Sequence, residues 1–589
     1  MVKQQPLHSF HIPVMGIAYT IDSPIRVAQY GISSVISLVD DMLMETLREL
    51  YSKKFELPFT PIFSGDKDAR AKRITSYLNM VDDIVKRKVE DLKSLDSSKE
   101  LNRLYEMLPD TSTIKKDLAK KIENGAAITR EYWKRFKENF TQGLIDVNIM
   151  TKVDRENYQN GERLPDEYND AHAALRGFAL SRLSSSIVLS AGMNPKLYSY
   201  LSQFDDFFPN AQMELKKKVT LKVSDFRSAL IQGKFLAKKG IWVSEYRIES
   251  GLNCGGHAFA SDGLLLGVIL QEFADKREML TTSTFETYQN ALAEKGKNAP
   301  KAPFAIKLSV QGGVGTHDEH QMLIDRFNID TVGWGSPFLL VEEATSVDVE
   351  TRQRLADARE DDLYLSNISP LGVMFNNLRN SSREVERDEL IKQGKPGSYC
   401  PKKYLALNRD YNDQGLCTAS IAFQKKKIEE LNAKNLEELA YRKEYDKITE
   451  KSCLCIGLAS SSYMEQGTAN QRRDKGVTVC PGPNMAYFTK KVSLNEMVNH
   501  IYGRENVIER DDRPHMFIKE LMLYIDYLRM KKKEVINPDD CKEIKYFDSF
   551  KENLKKGIAY YKDFFSDINM ANKNNLKRLK NLEHIVETI

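Results

Sequence analysis

A chain of 589 residues with 87 basic and 83 acidic side chains, net charge +4, has no surplus of positive charge for nucleic acid and is too long for one simple domain. Hydrophobic residues make up 41% and charged residues 29%, which describes a globular protein with material for a sizeable core. The longest apolar stretch, Gly263 to Leu270, is far short of the ~20 residues that span a bilayer, and Met1 to Pro13 has no apolar signal core, so the expectation is a cytoplasmic chain with no membrane segment.

In chain order, eight segments read as strands: Pro13–Ala18, Ile32–Ile36, Leu144–Met150, Ser186–Leu189, Lys218–Val223, Trp242–Ile248, Phe304–Val310 and Thr331–Trp334. Several are unbroken β-branched and apolar runs, the pattern of strands buried on both faces of a parallel sheet. Most are followed by a helical stretch. The first helix is marked by Ser23 as N-cap, Pro24 in its first turn and Gly31 just past its end. Eight such units predict an α/β fold, a TIM-type (β/α)8 barrel.

The count holds only if 40–140 is a helical insertion after strand two. There Ile74, Leu78, Val81, Ile84, Val85, Val89 and Leu92 recur at helical spacing on a charged background, as expected of a separate lid or side domain. The barrel then divides into 1–39 and 141–347. A cysteine-bearing extension follows over 348–503, and a helical region over 504–589, with Phe517, Leu521, Tyr524 and Leu528 on one face.

Two glycine loops carry the first chemical signal. Ser309-Val-Gln-Gly-Gly-Val-Gly-Thr316 and Thr331-Val-Gly-Trp-Gly-Ser-Pro-Phe338 each run from a strand into a turn, with a helix from His317 to Phe327 between them. That helix opens with Thr316 and Glu319 spaced as a capping box. Backbone N–H groups gathered in this way make a phosphate site, and in a barrel the loops after strands seven and eight are its usual place. Two ordinary strand-to-loop turns are the alternative. The sequence has no Gly-x-Gly-x-x-Gly unit for a pyrophosphate, which favours a single phosphate.

The sixth strand ends Glu249-Ser-Gly-Leu-Asn-Cys-Gly-Gly-His-Ala-Phe259. Gly255 and Gly256 would let a flat ring approach the backbone, and His257 would stand beside it as hydrogen-bond donor or as a general base titrating near neutrality. A loop histidine capping a backbone group is the alternative. His317-Asp-Glu-His320 has carboxylates where a first helical turn favours them, so a metal there is not expected. Five of the seven cysteines fall in the extension. Cys400, Cys417, Cys453 and Cys455, with Cys480 in reserve, are candidate ligands for zinc or an iron–sulfur cluster; lacking a Cys-x-x-Cys pair, they read more readily as buried, inert thiols.

Taken together, these pieces resemble the nitronate monooxygenase (2-nitropropane dioxygenase) family of FMN-dependent barrels, which includes flavin-dependent enoyl-thioester reductases. Pro13-Val-Met-Gly-Ile-Ala-Tyr19 is similar to its first-strand loop, Asp146-Val-Asn-Ile149 to its Gly-Val-Asn strand, and Asn253-Cys-Gly-Gly-His257 to its Glu-Ala-Gly-Gly-His motif. Gln311–Thr316 and Gly333–Ser336 resemble its phosphate loops, and Glu342-Glu-Ala344 continues the match. The resemblance covers roughly 13–36 and 144–344. It implies a flavoprotein oxidoreductase in which Gly312, Gly313, Gly335 and Ser336 hold the FMN phosphate, Gly16, Asn148, Gly255 and Gly256 hold the ring, and His257 is catalytic. It also implies a small-molecule substrate and either O₂ chemistry, as in a monooxygenase, or a nicotinamide or ferredoxin electron donor; a cysteine-bound cluster would favour the electron-fed reductase. Asp146 replaces the family's glycine and would add a charge near the pocket floor, while Asn253-Cys254 replaces Glu-Ala and would put a thiol near the flavin. A reading from another class is a non-catalytic flavin- or phosphate-ligand-binding protein whose helical additions serve a partner.

Overall fold

Eight short parallel strands close into a barrel in the computed structural model, which describes residues 7–94, 99–112, 115–116, 137–138, 140–469, 476–534, 541–567 and 573–589. They are β1 (Phe10–Ile12), β2 (Ser33–Ser37), β3 (Ile145–Met150), β4 (Ser186–Ser190), β5 (Lys218–Val223), β6 (Val243–Glu249), β7 (Lys307–Gln311) and β8 (Thr331–Gly333). Each pairs with the next and β8 returns to β1, the order expected of the β/α repeat. β2 and β4 are buried along their whole length, which explains their unbroken rather than alternating sequences.

The first strand lies earlier than the sequence suggests. Pro13 has no N–H for a ladder, and Gly16 takes φ +53°, so the chain turns out of the barrel after Ile12. Pro13–Ala18 is the loop over the barrel's C-terminal end. α1 (Ser23–Val27) starts one residue beyond its N-cap, Asp22, and a short 3-10 turn ends at Gly31 in the left-handed region.

Barrel interiors are usually packed with branched apolar side chains; this one has a charged layer. Side chains alternate along a strand, and the set that faces inward includes Glu245 and Arg247 of β6 and Ser309 of β7. Arg247 donates to Glu245 (2.7 Å) and to Ser309 (3.3 Å). Asp146 of β3 accepts the Ser186 N–H (2.8 Å), and burial raises its carboxyl to about 6. It lies in this layer and does not line the cavity at the barrel's C-terminal end. The layer above it, from Asn148, Glu249 and Gln311, opens into that cavity.

The described part of the insertion is α2 (Asp41–Phe55), α3 (Ala69–Ser94) and a helix over Lys99–Met107. The apolar stripe expected from its spacing is buried in α3, against the barrel's flank. α3 packs on α4 (Asp170–Ala179), where the missing side chain of Gly177 leaves room for Ile74; a Cβ there would lie 2.8 Å from it. Asp41 pairs with Arg70 (2.5 Å) and Arg73 (3.0 Å), and Tyr77 donates to the Ile21 carbonyl (2.9 Å). These helices therefore share the barrel's core. Most of 113–139, expected to be helical, lies outside the described residues.

After α5 (His317–Phe327), the extension folds back over the barrel's C-terminal end. It includes a hairpin of Leu363–Ser366 with Phe375–Leu378, α6 (Leu454–Glu465) and α7 (Met516–Glu534), whose expected face, Phe517, Leu521, Tyr524 and Leu528, is buried. Anchors reach deep into the N-terminal half: Lys402 pairs with buried Asp40, and Tyr19 donates to the Thr478 carbonyl. Among the described residues no helix is long and apolar enough to cross a membrane.

Candidate functional site

The C-terminal ends of the strands surround a cavity with about 200 Å³ of room for the centres of water-sized molecules. Gly16, Asn148, Gly255, Gly256, His257, Gly312, Gly313, Gly335 and Ser336 all line it. Nine residues drawn from five separate stretches of sequence thus meet in one place.

The glycine loops after β7 and β8 form one wall. The backbone N–H groups of Gly312, Gly313, Val314, Gly335 and Ser336 have no acceptor among the described residues. The next amide, Gly315, donates to Glu319 (2.9 Å), so the helix start itself is already satisfied. Thr316 caps α5 as expected, accepting the Glu319 N–H (3.2 Å). The Glu319 carboxylate does not complete the box; it turns to Gly315, to the Met516 N–H (2.6 Å) and to both ends of the Arg513 guanidinium (2.8 Å each). The free donors are therefore those of the loops, not of the helix.

Gly312 and Gly313 take φ +118° and +78°. A Cβ on Gly312 would come 2.7 Å from the Cys254 sulfur, and one on Gly313 2.0 Å from Asn253 Nδ2. Both glycines are required by the loop packed beneath them. Gly335 differs: its nearest neighbour to a Cβ would be Pro13 at 3.4 Å, an ordinary contact.

The opposite wall is the loop after β6. Gly255 does not bare its backbone for a ring alone, because the extension's Cys480–Gly482 lies against it and a Cβ would be 2.5 Å from the Cys480 carbonyl. Gly256, at φ +77°, is the glycine that faces open space. The loop is held as an added strand: Ala258 N–H donates to Met374 O (2.9 Å) and Asn376 N–H to Gly256 O (2.9 Å).

His257 follows, its ring edge-on to Phe375 at 4.9 Å and its Nε2 2.7 Å from Ser369 Oγ. Burial, helped by the charge of Lys222, lowers its pKa to about 4. It is neutral at pH 7, which corrects the expectation of a group titrating near neutrality. Nδ1 makes no hydrogen bond to a described residue. Beside it Lys222 pairs with Glu249 (2.8 Å), which also accepts from Gln311 Nε2 (2.8 Å). The Asn148 Oδ1 and Gln311 Oε1 atoms are buried on the cavity wall without a donor. Buried acceptors left in this way are costly unless a ligand supplies an N–H.

Two thiols also line the cavity. Cys254 lies 3.5 Å from the Gln311 carbonyl, and burial holds its pKa well above the ordinary range. Cys480 is pushed up to about 12 by burial, against the effect of nearby backbone N–H groups, while the Gly256 N–H donates to the Cys480 carbonyl (3.2 Å). Both are thiols, not thiolates.

The extension's cysteines, among the described residues, do not form the candidate metal centre. Among the described residues no group of three or more His, Cys, Asp or Glu side chains is arranged to hold a metal ion. Cys400 and Cys417 contact each other, while Cys455 faces the cavity and burial raises the Cys453 and Cys455 thiols. In the His317–His320 stretch, His317 bonds the Ile501 carbonyl (3.0 Å) and His320 bonds Ser9 and Trp334, so both are structural.

Sequence reasoning missed Lys222, Glu249 and Gln311, although all three sit at strand ends where a period of two points inward. It also missed the roof of Phe375, Leu405, Leu454, Leu458, Gly482 and Asn484. Gly482 N–H donates to Ser336 Oγ (2.7 Å) and Asn484 to the Val314 carbonyl (2.8 Å), so the extension seals the phosphate loops from above. No local signal marks these residues.

No protein-family model and no curated protein matches the sequence. Solved structures do match: FabK from Thermotoga maritima at 12% identity and TM-score 0.34, covering 89% of this chain and 97% of that one. The enoyl reductase domain of MlnA from the macrolactin biosynthesis cluster of Bacillus amyloliquefaciens matches at 14% and 0.33, covering 69% and 87%. Nitroalkane oxidase from Streptomyces ansochromogenes matches at 10% and 0.29, covering 64% and 84%. Such distant likeness assigns no role to any residue.

Proposed function

We propose that this protein is an FMN-dependent oxidoreductase acting on a small molecule in the barrel-mouth cavity. One observation carries the reading: five partnerless loop amides and two buried, donorless side-chain oxygens, Asn148 Oδ1 and Gln311 Oε1, converge on a single cavity. A phosphate answers the first set. A flat heterocycle with an N–H on its edge answers the second. FMN carries both.

When bound, FMN supplies hydride or single-electron transfer. The chain's own residues would do the rest. The amides of Gly312, Gly313, Val314, Gly335 and Ser336 hold the phosphate. Gly256 leaves space for the ring, with Gly16 on the loop above β1. Asn148 and Gln311 accept from the ring's edge. Lys222 sets a positive charge on the wall, tempered by Glu249. His257, neutral and fixed through Nε2 to Ser369, keeps Nδ1 to orient a substrate or to accept or give up a proton there. The apolar roof, with Leu405, Leu454 and Leu458, excludes water. The choice between oxygen-linked nitronate oxidation and electron-fed reduction of an enoyl thioester turns on the electron partner.

The test is direct. Purified full-length protein should be yellow, and acid-released cofactor should have the mass of FMN. Asn148→Leu should weaken FMN binding by ~10-fold while leaving the cofactor-free chain as stable as before or more so, since it removes an unpaired buried acceptor. A colourless protein that takes up no added FMN at micromolar concentration would sink the proposal. Bound flavin that, once reduced, no candidate acceptor reoxidises would leave a flavin-binding protein instead of an enzyme.

A further inference from the structure

Cys400 and Cys417 belong to loops that the chain draws together. Ser398 N–H donates to Ala419 O (2.9 Å), and Ile421 N–H donates back to Ser398 O (3.1 Å). Gly397 lies so close behind that a Cβ would be 2.8 Å from the Ile421 Cα. Across this pairing the Cys400 and Cys417 side chains come into contact.

The pair is asymmetric. Cys400 is half-buried and within reach of solvent; Cys417 is 3% exposed. Contact with the Cys417 side chain brings the Cys400 pKa down to about 7 against the effect of burial, helped by the Lys403 N–H and by the charges of Lys403 and Arg155. The same contact, with burial, holds Cys417 as a thiol. One sulfur is a reachable nucleophile, the other a protected thiol beside it.

We propose that Cys400 and Cys417 are a redox-active dithiol that exchanges with small disulfides, Cys400 attacking and Cys417 resolving. The Cys400 thiolate attacks one sulfur of RSSR; the RS–SR bond breaks, one RS⁻ leaves, and Cys400 carries a mixed disulfide. Cys417 gives up its proton and attacks the Cys400 sulfur, releasing the second RS⁻. The chain loses two electrons and two hydrogens, and the two RS⁻ groups take the protons as 2 RSH. The Cys400 loop also carries Lys402, paired with buried Asp40, Tyr404, bonded to Asp41 (3.0 Å), and Leu405 on the cavity wall. The same loop thus runs from the pair to the edge of the cavity.

The dithiol stands apart from the flavin reading, because its readouts are thiols and masses that FMN does not move. Reduced full-length protein, freed of reductant, is incubated with oxidised glutathione at increasing ratios to the reduced form. The expected result is loss of two titratable thiols per chain, loss of two hydrogen masses, and a single cross-linked peptide pair containing Cys400 and Cys417. Cys417→Ser should instead accumulate one glutathione on Cys400, with no resolving thiol to displace it. Cys400→Ser should slow modification of this pair by at least ~10-fold, since buried Cys417 is neither exposed nor ionised. Both variants are checked for native circular dichroism and melting temperature. A cross-link on other cysteines, no thiol loss at any ratio, or a folded Cys417→Ser that takes no glutathione on Cys400 would overturn the proposal.

Discussion

Arg513 is the extension's hold on the phosphate loop, and removing it tests that coupling. Its side chain, 7% exposed, makes two 2.8 Å bonds to Glu319, one of 2.8 Å to the Gly313 carbonyl and one of 2.9 Å to Asn484 Oδ1. In Arg513→Ala the Glu319 carboxylate, 3% exposed, keeps only the N–H groups of Gly315 and Met516 to offset its charge. Breaking a buried pair from one side costs ~3–5 kcal/mol. Burial alone would raise the Glu319 pKa, but Arg513 holds it below the ordinary 4.5. A carboxyl lowered by folding contributes stability above its unfolded pKa, lost as pH falls through the folded value. Without Arg513 the folded value rises, so the variant's deficit should shrink as pH falls toward 4.5. The double variant Arg513→Met/Glu319→Gln keeps volume and the acceptor for Gly315, and should recover to within ~1–2 kcal/mol of the parent. Urea midpoints at pH 7 and pH 5 read the stability, and flavin titration of the apoprotein reads the loop. A loss below ~1 kcal/mol, or a double variant no better than the single, would refute the clamp.

Three further outcomes follow from the geometry. His257→Ala should keep flavin and lose ~10²–10⁴-fold in turnover, while the parent's rate should fall with acid only near pH 4, where His257 protonates; a break near 6.5 or an unchanged variant would return His257 to a structural role. Gly335→Ala should leave stability within ~0.5 kcal/mol but weaken flavin binding, whereas Gly313→Ala, with φ +78° and Asn253 at 2.0 Å, should cost ~1–3 kcal/mol before any ligand is considered; equal stability effects would show that the two glycines do not differ. Glu520 is raised to about 7 by burial, though it accepts from Ser250, Leu266 and Tyr561. A carboxyl raised by folding stabilises below its unfolded pKa and loses that contribution as pH rises. The parent should therefore lose at most ~3 kcal/mol between pH 4.5 and 7 through this group. Glu520→Gln should flatten that slope in urea midpoints; an identical slope would remove Glu520 as its source.

The parts of the site that were legible in the sequence are those whose cause is local. Gly312, Gly313 and Gly335 follow strands, Thr316 caps the next helix, and the β-branched runs of β3 to β5 mark buried strands. Even so, the local signs misled where a distant partner intervened. Gly255 reads as a ring contact, yet its glycine is demanded by the Cys480 carbonyl. Glu319 reads as half of a capping box, yet Arg513 turns its carboxylate away. His257 reads as a neutral-pH titrant, yet burial near Lys222 keeps it uncharged. Four cysteines without a short ligand pair leave their geometry open, because nothing near them in sequence fixes which thiols meet.

The roof also sets an order of events during synthesis. Ser250 meets Glu520 across 270 residues, Tyr19 meets Thr478 across 459, and His8 meets Tyr502 across 494. Contacts this distant form late, since a chain must close long loops before they contribute. A ribosome that has released only the eight strands has exposed every glycine of the phosphate wall, but not the Arg513 that steadies it or the Gly482 that covers Ser336. Until residues 375–484 emerge, the nascent barrel carries an open mouth, which is the interval in which a chaperone, or the cofactor itself, has most to grip.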